Sequence, residues 1–250
     1  MRRIFRWFFL VVLGIVAGMI IYEGSMFVRV FLLRTHNPSS TSLIDTRMSE
    51  AQAKGQQPRR EQIWAPLEKI SPNLQRAVLA GEDTNFLFHR GFDYEAIQKA
   101  WDQAQRETAR QAKAEGEDDD WLPSLPEFRR GGSTISQQLA KNLYLSSQRS
   151  WLRKGQEAAL TLMLERTLTK RRILEIYLNV IEWGDGIYGA EAASQRYFRK
   201  PASALTANEA AFLSAMIPNP RTVFNPQVNP RRVARRQRII MRGMPYIKLP

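Results

Sequence analysis

SPNLQRAVLAGEDTNFLFHRG, residues 71–91, is the stretch on which the reading of this chain turns. Ser71 followed by Pro72 is an N-cap with proline at the first helical position, and the helix it opens is expected to run to about Gly81. Two carboxylates, Glu82 and Asp83, follow at once, then Phe86, Leu87 and Phe88, then His89 and Gly91. An apolar cluster beside an acid disfavours its charged form and raises its pKa toward a value useful for proton transfer. His89 is one of only two histidines, the other being His36, so the pattern also offers an imidazole as a rival base.

Outward from this stretch, helix signals are frequent and strand signals scarce. Thr206 and Glu209 form a capping box for a helix to about Ile217, and Asn229-Pro230 opens another that Gly243 is placed to stop. Residues 136–145, 151–168 and 170–181 carry helical periodicity, and no internal repeat is present. The body reads as mainly α. Residues 35–62 are polar and turn-rich and read as a linker or mobile segment between an N-terminal unit, 1–34, and a domain, 63–250. Residues 101–128 hold eight acids against three bases, and the EGEDDD run reads as an exposed loop tip within an acidic insertion at 103–128. It lacks the glycine and spaced ligands of a calcium loop.

Three further stretches carry chemistry. In RRGGSTISQQLAKNLYL, 129–145, Gly131-Gly132 allows close backbone approach. Ser133, Thr134, Ser136, Gln137, Gln138, Lys141 and Asn142 then crowd a helix start, an arrangement suited to an anion such as phosphate, although the P-loop spacing is absent. In RKGQEAALTLMLE, 153–165, Arg153, Lys154 and Glu157 fall within about one turn, and Glu165 lies within about 80° of Glu157 around the helix. An acid on so apolar a helix is exposed or functional, and a buried one needs a partner. In 171–198, Ile173, Leu174, Tyr177 and Leu178 make an apolar helical face that packing alone explains.

The chain has 250 residues and a formal net charge of +13, which implies an anionic partner: phospholipid, nucleic acid or a phosphorylated substrate. Residues 221–248 hold eight bases and no acid, with Arg231, Arg235, Arg238 and Arg242 on one helical face. The absence of cysteine excludes disulfides, thiolate nucleophiles and cysteine metal sites. At the N-terminus, Arg2, Arg3 and Arg6 precede an uncharged run from Trp7 to Tyr22 with aromatics at both ends. This reads as an uncleaved membrane-spanning helix with a cytoplasmic N-terminus and an exported body, since no small-residue cleavage site follows the run. Met26 to Leu33 either continues that helix or lies in the interface. Behind an export anchor, nucleic acid drops out as a partner and anionic membrane lipid remains.

EDxxFxxHxG (82–91), GGSTISQQLAKN (131–142), RKxxE (153–157) and ILExYLN (173–179) occur in this order, and in that respect the chain resembles the family 51 glycosyltransferases, the peptidoglycan polymerases. The resemblance covers roughly residues 65–245, and the segment at about 103–128 is the departure from the pattern. It implies a lysozyme-like helical fold behind a single transmembrane helix in a bacterial inner membrane. It also implies polymerisation of lipid II onto a nascent polyprenyl-diphosphate glycan chain, with inversion at the donor anomeric carbon. By position, Glu82 matches the general base, and Glu157 matches a second carboxylate near the diphosphate or its metal. Lys141, Arg153 and Lys154 match diphosphate-binding cations. Ser133, Thr134, Gln137, Gln138 and Asn142 would line the cleft, and Asp83, Phe86, His89 and Gly91 would support it. Glu175 and Asn179 are open between fold and substrate. The resemblance further implies support by Mg²⁺ or Mn²⁺, with no ligand set readable, no organic cofactor, and cell-wall synthesis or division proteins as partners. A lysozyme-like glycan hydrolase and a non-catalytic cell-wall scaffold are the competing expectations.

Overall fold

The computed structural model describes residues 2–115, 133–146 and 150–250. Helix α1, Arg2–Leu32, has 31 residues. At ~1.5 Å per residue it is about 46 Å long, which exceeds the ~30 Å hydrocarbon core. Its segment Phe5–Leu32 is the one helix among the described residues long and apolar enough to cross a membrane. Met26 to Leu32 therefore continues the helix, and the helix enters the folded body without a break: Val30 and Leu33 are buried in the core. The guanidinium of Arg172 staples this junction by donating to the carbonyls of Leu33 and His36, at 2.8 and 3.0 Å, and to Asn37 Oδ1 at 2.7 Å.

The linker expected at 35–62 is not what the structure shows. Thr41 caps helix α2, Ser42–Ala53, which is pinned by the fully buried Ile44 and by the bond from Ser42 Oγ to the Leu145 carbonyl at 2.9 Å. Glu61–Gln62 then forms strand β1. The acidic insertion differs likewise: helix α4, Tyr94–Glu115, runs through the first part of 103–128, and the remainder lies outside the described residues.

The other helices follow the sequence signals closely. Ser71 accepts from the Asn73 N–H and opens α3, Pro72–Glu82. Thr134 and Gln137 make a capping box for α5, Ile135–Tyr144. Ser150 caps α6, Trp151–Thr167, and Thr169 caps α7, Lys170–Val180. After α8, Ala190–Phe198, the expected capping box of Thr206 and Glu209 opens α9, Ala207–Met216. Helix α10 spans Pro230–Gly243, but Gly243 keeps a right-handed conformation and the chain passes directly into a 3-10 turn, so it is not the expected stop.

Two packings place the site. Helices α9 and α10 close over α3, and α6 and α7 flank α5, with α2 lying against α5 as well. A small sheet, ordered β1-β3-β2, fills one side: β2 is Glu182–Gly184 and β3 is Ile187–Tyr188. Trp183, Tyr177 and Tyr188 are the largest fully buried side chains. Asn179 is structural, because its side chain exchanges both bonds with the backbone of Ala65, at 2.8 and 2.9 Å. Glu175 is held by Arg172 at 2.5 Å.

Candidate active site

Glu82 is the last residue of α3, so its carboxylate projects where the helix ends. The side chain is 8% exposed. Gln138 Nε2 on α5 donates to Oε2 at 3.0 Å, and Arg236 Nη2 on α10 donates to Oε1 at 2.7 Å. The Tyr177 hydroxyl donates to Gln138 Oε1 at 2.8 Å, which leaves the amide nitrogen to face Glu82. Burial raises the Glu82 pKa; the charge of Arg236 and the bonds from Gln138 and Arg236 pull the other way, and Asp83 adds to the rise. The apolar neighbours foreseen as the tuning device contribute unequally: Phe86 is buried, whereas Phe88 is 75% exposed. The named partners of the carboxylate are polar.

The loop that follows is built by Asp83 and His89. Asp83 accepts from His89 Nε2 at 2.9 Å and from the Ile135 N–H, at the start of α5, at 2.9 Å. His89 Nδ1 accepts from the Gly91 N–H at 3.1 Å, which puts the ring proton on Nε2. Thr134 Oγ1 closes the circuit by donating to the Gly91 carbonyl at 2.7 Å. Both nitrogens of His89 are thus spent on structure, which removes it as the rival base. Gly91 has φ +99°, and a Cβ there would meet Thr161 Cγ2 at 2.8 Å, so this turn admits only glycine without strain. Phe86 seats the loop in the core, with Lys170 Nζ over its ring at 4.5 Å and Lys170 held by Glu165 at 2.7 Å. Glu165 also accepts from Ser136 at 2.5 Å, so it serves the packing of α5 on α6.

Beside this corner lies a cleft of about 650 Å³, into which Lys141, Asn142, Arg153, Lys154 and Glu157 project. Glu157 is buried at 4% exposure, and it accepts from Arg153 at 3.0 Å and from Lys154. The partner that a buried acid requires is therefore supplied twice, and Glu157 holds two cations at the cleft. Arg153 Nε is buried with no acceptor among the described residues. The Lys141 pKa is lowered, first by desolvation in the cleft and then by the cations of Arg153 and Lys154, against the pull of Glu157 and Glu82. A crowded cationic corner of this kind is relieved by an incoming anion.

Ser133 and Gln138 join the two regions. Ser133 lines both the cleft and a smaller recess of about 180 Å³ that contains Glu82 and Asp83. Gln138 lines the cleft and bonds to Glu82. Thr134 lines the recess too and caps α5, Gln137 acts through that same capping box, and Gly131 and Gly132 lie outside the described residues. Sequence reasoning missed Arg236, Tyr177, Arg47 and Arg221; the last two line the cleft. Arg236 stands next to Arg235 in a run of arginines, and only its offset from the exposed face could have singled it out. The described residues contain no group of three acidic or imidazole side chains able to hold a metal, so Mg²⁺ or Mn²⁺ is assigned neither a protein ligand set nor a step.

A family model described as Transglycosylase matches residues 48–116 and 122–245. The biosynthetic peptidoglycan transglycosylase of Thiobacillus denitrificans is 45% identical over 250 residues, 100% of both chains. That of Azoarcus sp. is 44% identical over 239 residues, covering 96% of this chain and 95% of its own. That of Herminiimonas arsenicoxydans is 41% identical over 250 residues, covering 100% of this chain and 99% of its own.

Proposed function

The chain belongs to the transglycosylase family and is a peptidoglycan glycosyltransferase, and from that premise we propose that Glu82 is the general base and the Lys141–Arg153–Lys154 group the diphosphate site of lipid II polymerisation. The observation that supports this division is the separation of the two acids by environment. Glu82 sits in a recess with its pKa raised, while Glu157 is tied to two cations.

In this reading the acceptor sugar hydroxyl enters the recess and gives its proton to Glu82 as its oxygen attacks the donor anomeric carbon. The polyprenyl diphosphate leaves from the opposite face of that carbon, so the configuration inverts. Charge gathering on the leaving diphosphate is met by Lys141, Arg153 and Lys154, the last two already oriented by Glu157, so they need no reorganisation at the moment of reaction. Gln138 and Ser133, on the rim shared by recess and cleft, position the sugar between base and leaving group. Helix α1 holds the domain at the inner membrane, with a cytoplasmic N-terminus and the catalytic body outside, where the polyprenyl tails of both substrates remain in the bilayer. The exposed arginines of α10 face anionic lipid in the same arrangement, and cell-wall synthesis or division proteins are the protein partners.

The test is incubation of the detergent-solubilised protein with labelled lipid II and, separately, with preformed glycan. Growth of polymer in the first reaction supports the reading. Shortening of glycan in the second, with no polymer in the first, would assign the two acids to hydrolysis.

A further inference from the structure

Tyr177 is a fully buried ionisable side chain to which the proposed chemistry gives no task. It stands on the apolar face of α7 with Ile173, Leu174 and Leu178. Packing accounts for its ring but not for its hydroxyl, which phenylalanine would omit and which a core admits only with a partner. That partner is Gln138 Oε1 on α5, at 2.8 Å. The other end of the same amide, Nε2, donates to Glu82 Oε2 at 3.0 Å. The line Tyr177–Gln138–Glu82 thus crosses α7, α5 and α3 and ends on the acid read as the base. An amide can be seated two ways round. Turned over, Gln138 would set Oε1 against the ionised Glu82, acceptor facing acceptor, and Nε2 against the phenol. The phenol oxygen would accept that bond, but its own proton would then be buried with no acceptor among the described residues, which is disfavoured. The hydroxyl proton therefore selects the seating in which Gln138 donates to Glu82.

Resting on the reading of Glu82 as general base, we propose that Tyr177 is a positioning residue of the polymerase: through Gln138 it keeps an amide donor on Glu82, which favours the ionised carboxylate and leaves its free lone pairs to the recess where the acceptor hydroxyl enters. Arg236 from α10 holds the other carboxylate oxygen at 2.7 Å and works in the same direction, while the adjacent Asp83 opposes it. Lys141, further along α5, feels the charge of Glu82 from the cleft, and Asp93 shares the recess. Helix α9 meets α3 through Ser214, whose hydroxyl donates to the Ala77 carbonyl. Tyr177 itself stays protonated, because burial and the charges of Glu82 and Asp83 raise its pKa, so it remains a donor wherever Glu82 titrates.

The experiment is the pH dependence of kcat/KM for polymerisation of labelled lipid II by wild type, Tyr177→Phe, Gln138→Met and the double variant, with thermal unfolding of each. Tyr177→Phe removes only the hydroxyl. Its acid limb is expected at higher pH, so that below the limb kcat/KM falls about tenfold, with a smaller loss on the plateau. Gln138→Met moves the limb the same way and lowers the plateau further, because Gln138 also lines the cleft. Adding Tyr177→Phe to Gln138→Met moves the limb no more, since the hydroxyl acts through the amide. A Tyr177→Phe limb that coincides with wild type, whatever the change in plateau or unfolding temperature, overturns the proposal and leaves Tyr177 to the core. So does a limb that Tyr177→Phe moves equally with and without Gln138. Should Tyr177→Phe fail to fold, Tyr177→Met, which also lacks the hydroxyl, reads the same limb. Glu82→Gln on the same substrate separates the two levels. A wild-type rate there removes Glu82 as base and the positioning with it, whereas an inactive Glu82→Gln beside an unmoved Tyr177→Phe limb removes Tyr177 alone.

Discussion

Glu82 is held in balance between burial, which raises its pKa, and Arg236, which lowers it. A base must be ionised, so activity is expected to fall on the acid side as Glu82 takes up a proton, with the limb above the ordinary 4.5 of a glutamate. Replacing Arg236 with Gln removes the opposing charge, raises the pKa further, and moves the acid limb of kcat/KM to higher pH. A pH–rate profile checks this, and a limb that stays in place would take Arg236 out of the balance. His89→Gln is the contrasting case. It breaks the bond to Asp83 and costs about 1–3 kcal/mol of stability, yet it leaves the limb where it was, because both ring nitrogens are engaged in holding the loop. Glu82, Glu157 and the cations were legible as candidates from the motifs, and the roles proposed for them come from the family resemblance. Arg236 was not, because its partner is 154 positions away and the only local signal was its place in a basic helix.

Among elements, the α3–α5 junction makes the active corner, and its strength lies in backbone bonds that side chains complete. Gly91→Ala is expected to cost about 1–3 kcal/mol through its positive φ, and to lose activity as the loop lifts from α5; thermal denaturation and the polymerisation assay read the two effects together. The capping box of α9 gives a pH-dependent case. Lys200 and Thr206 hold the Glu209 pKa down at about 2, from an ordinary 4.5. A depressed carboxyl contributes stability that is present above its unfolded value and is lost as pH falls from there through the folded value. Glu209→Gln should therefore lower stability near neutrality and flatten the loss on acidification between about 4.5 and 2, which chemical denaturation at stepped pH measures. The helices with caps and apolar stripes were legible because those signals are local. Helix α2 was not: within SLIDTRMSEAQA only Ile44 is buried, and the other contacts that hold it are polar and tertiary.

For the whole molecule, the consequence is a continuous path from membrane to cleft. Helix α1 ends in the core, Arg172 fixes the turn after it, and α2 then carries Arg47 into the cleft. In the proposed arrangement this holds the active site at a set height above the bilayer, which suits substrates that cannot leave it. Arg172→Ala is expected to loosen this junction without moving the catalytic groups. Hydrogen exchange at residues 33–37 should quicken while that of α5 stays unchanged; an unchanged rate at the junction would show that Val30 and Leu33 suffice. A helix long and apolar enough to cross a membrane was legible from composition, but the sequence signalled a linker where the structure has a packed helix and a strand, since polarity marks exposure better than it marks disorder.

The central claim is that Glu82 removes the proton while the cations bind the diphosphate independently of it. The measurement that tests this most directly is single-turnover polymerisation of lipid II by Glu82→Gln, with binding of lipid II measured on the same preparation. The account predicts binding close to wild type and a rate lower by about 10²–10⁴-fold. Polymerisation by Glu82→Gln at the wild-type rate, with binding intact, would contradict it.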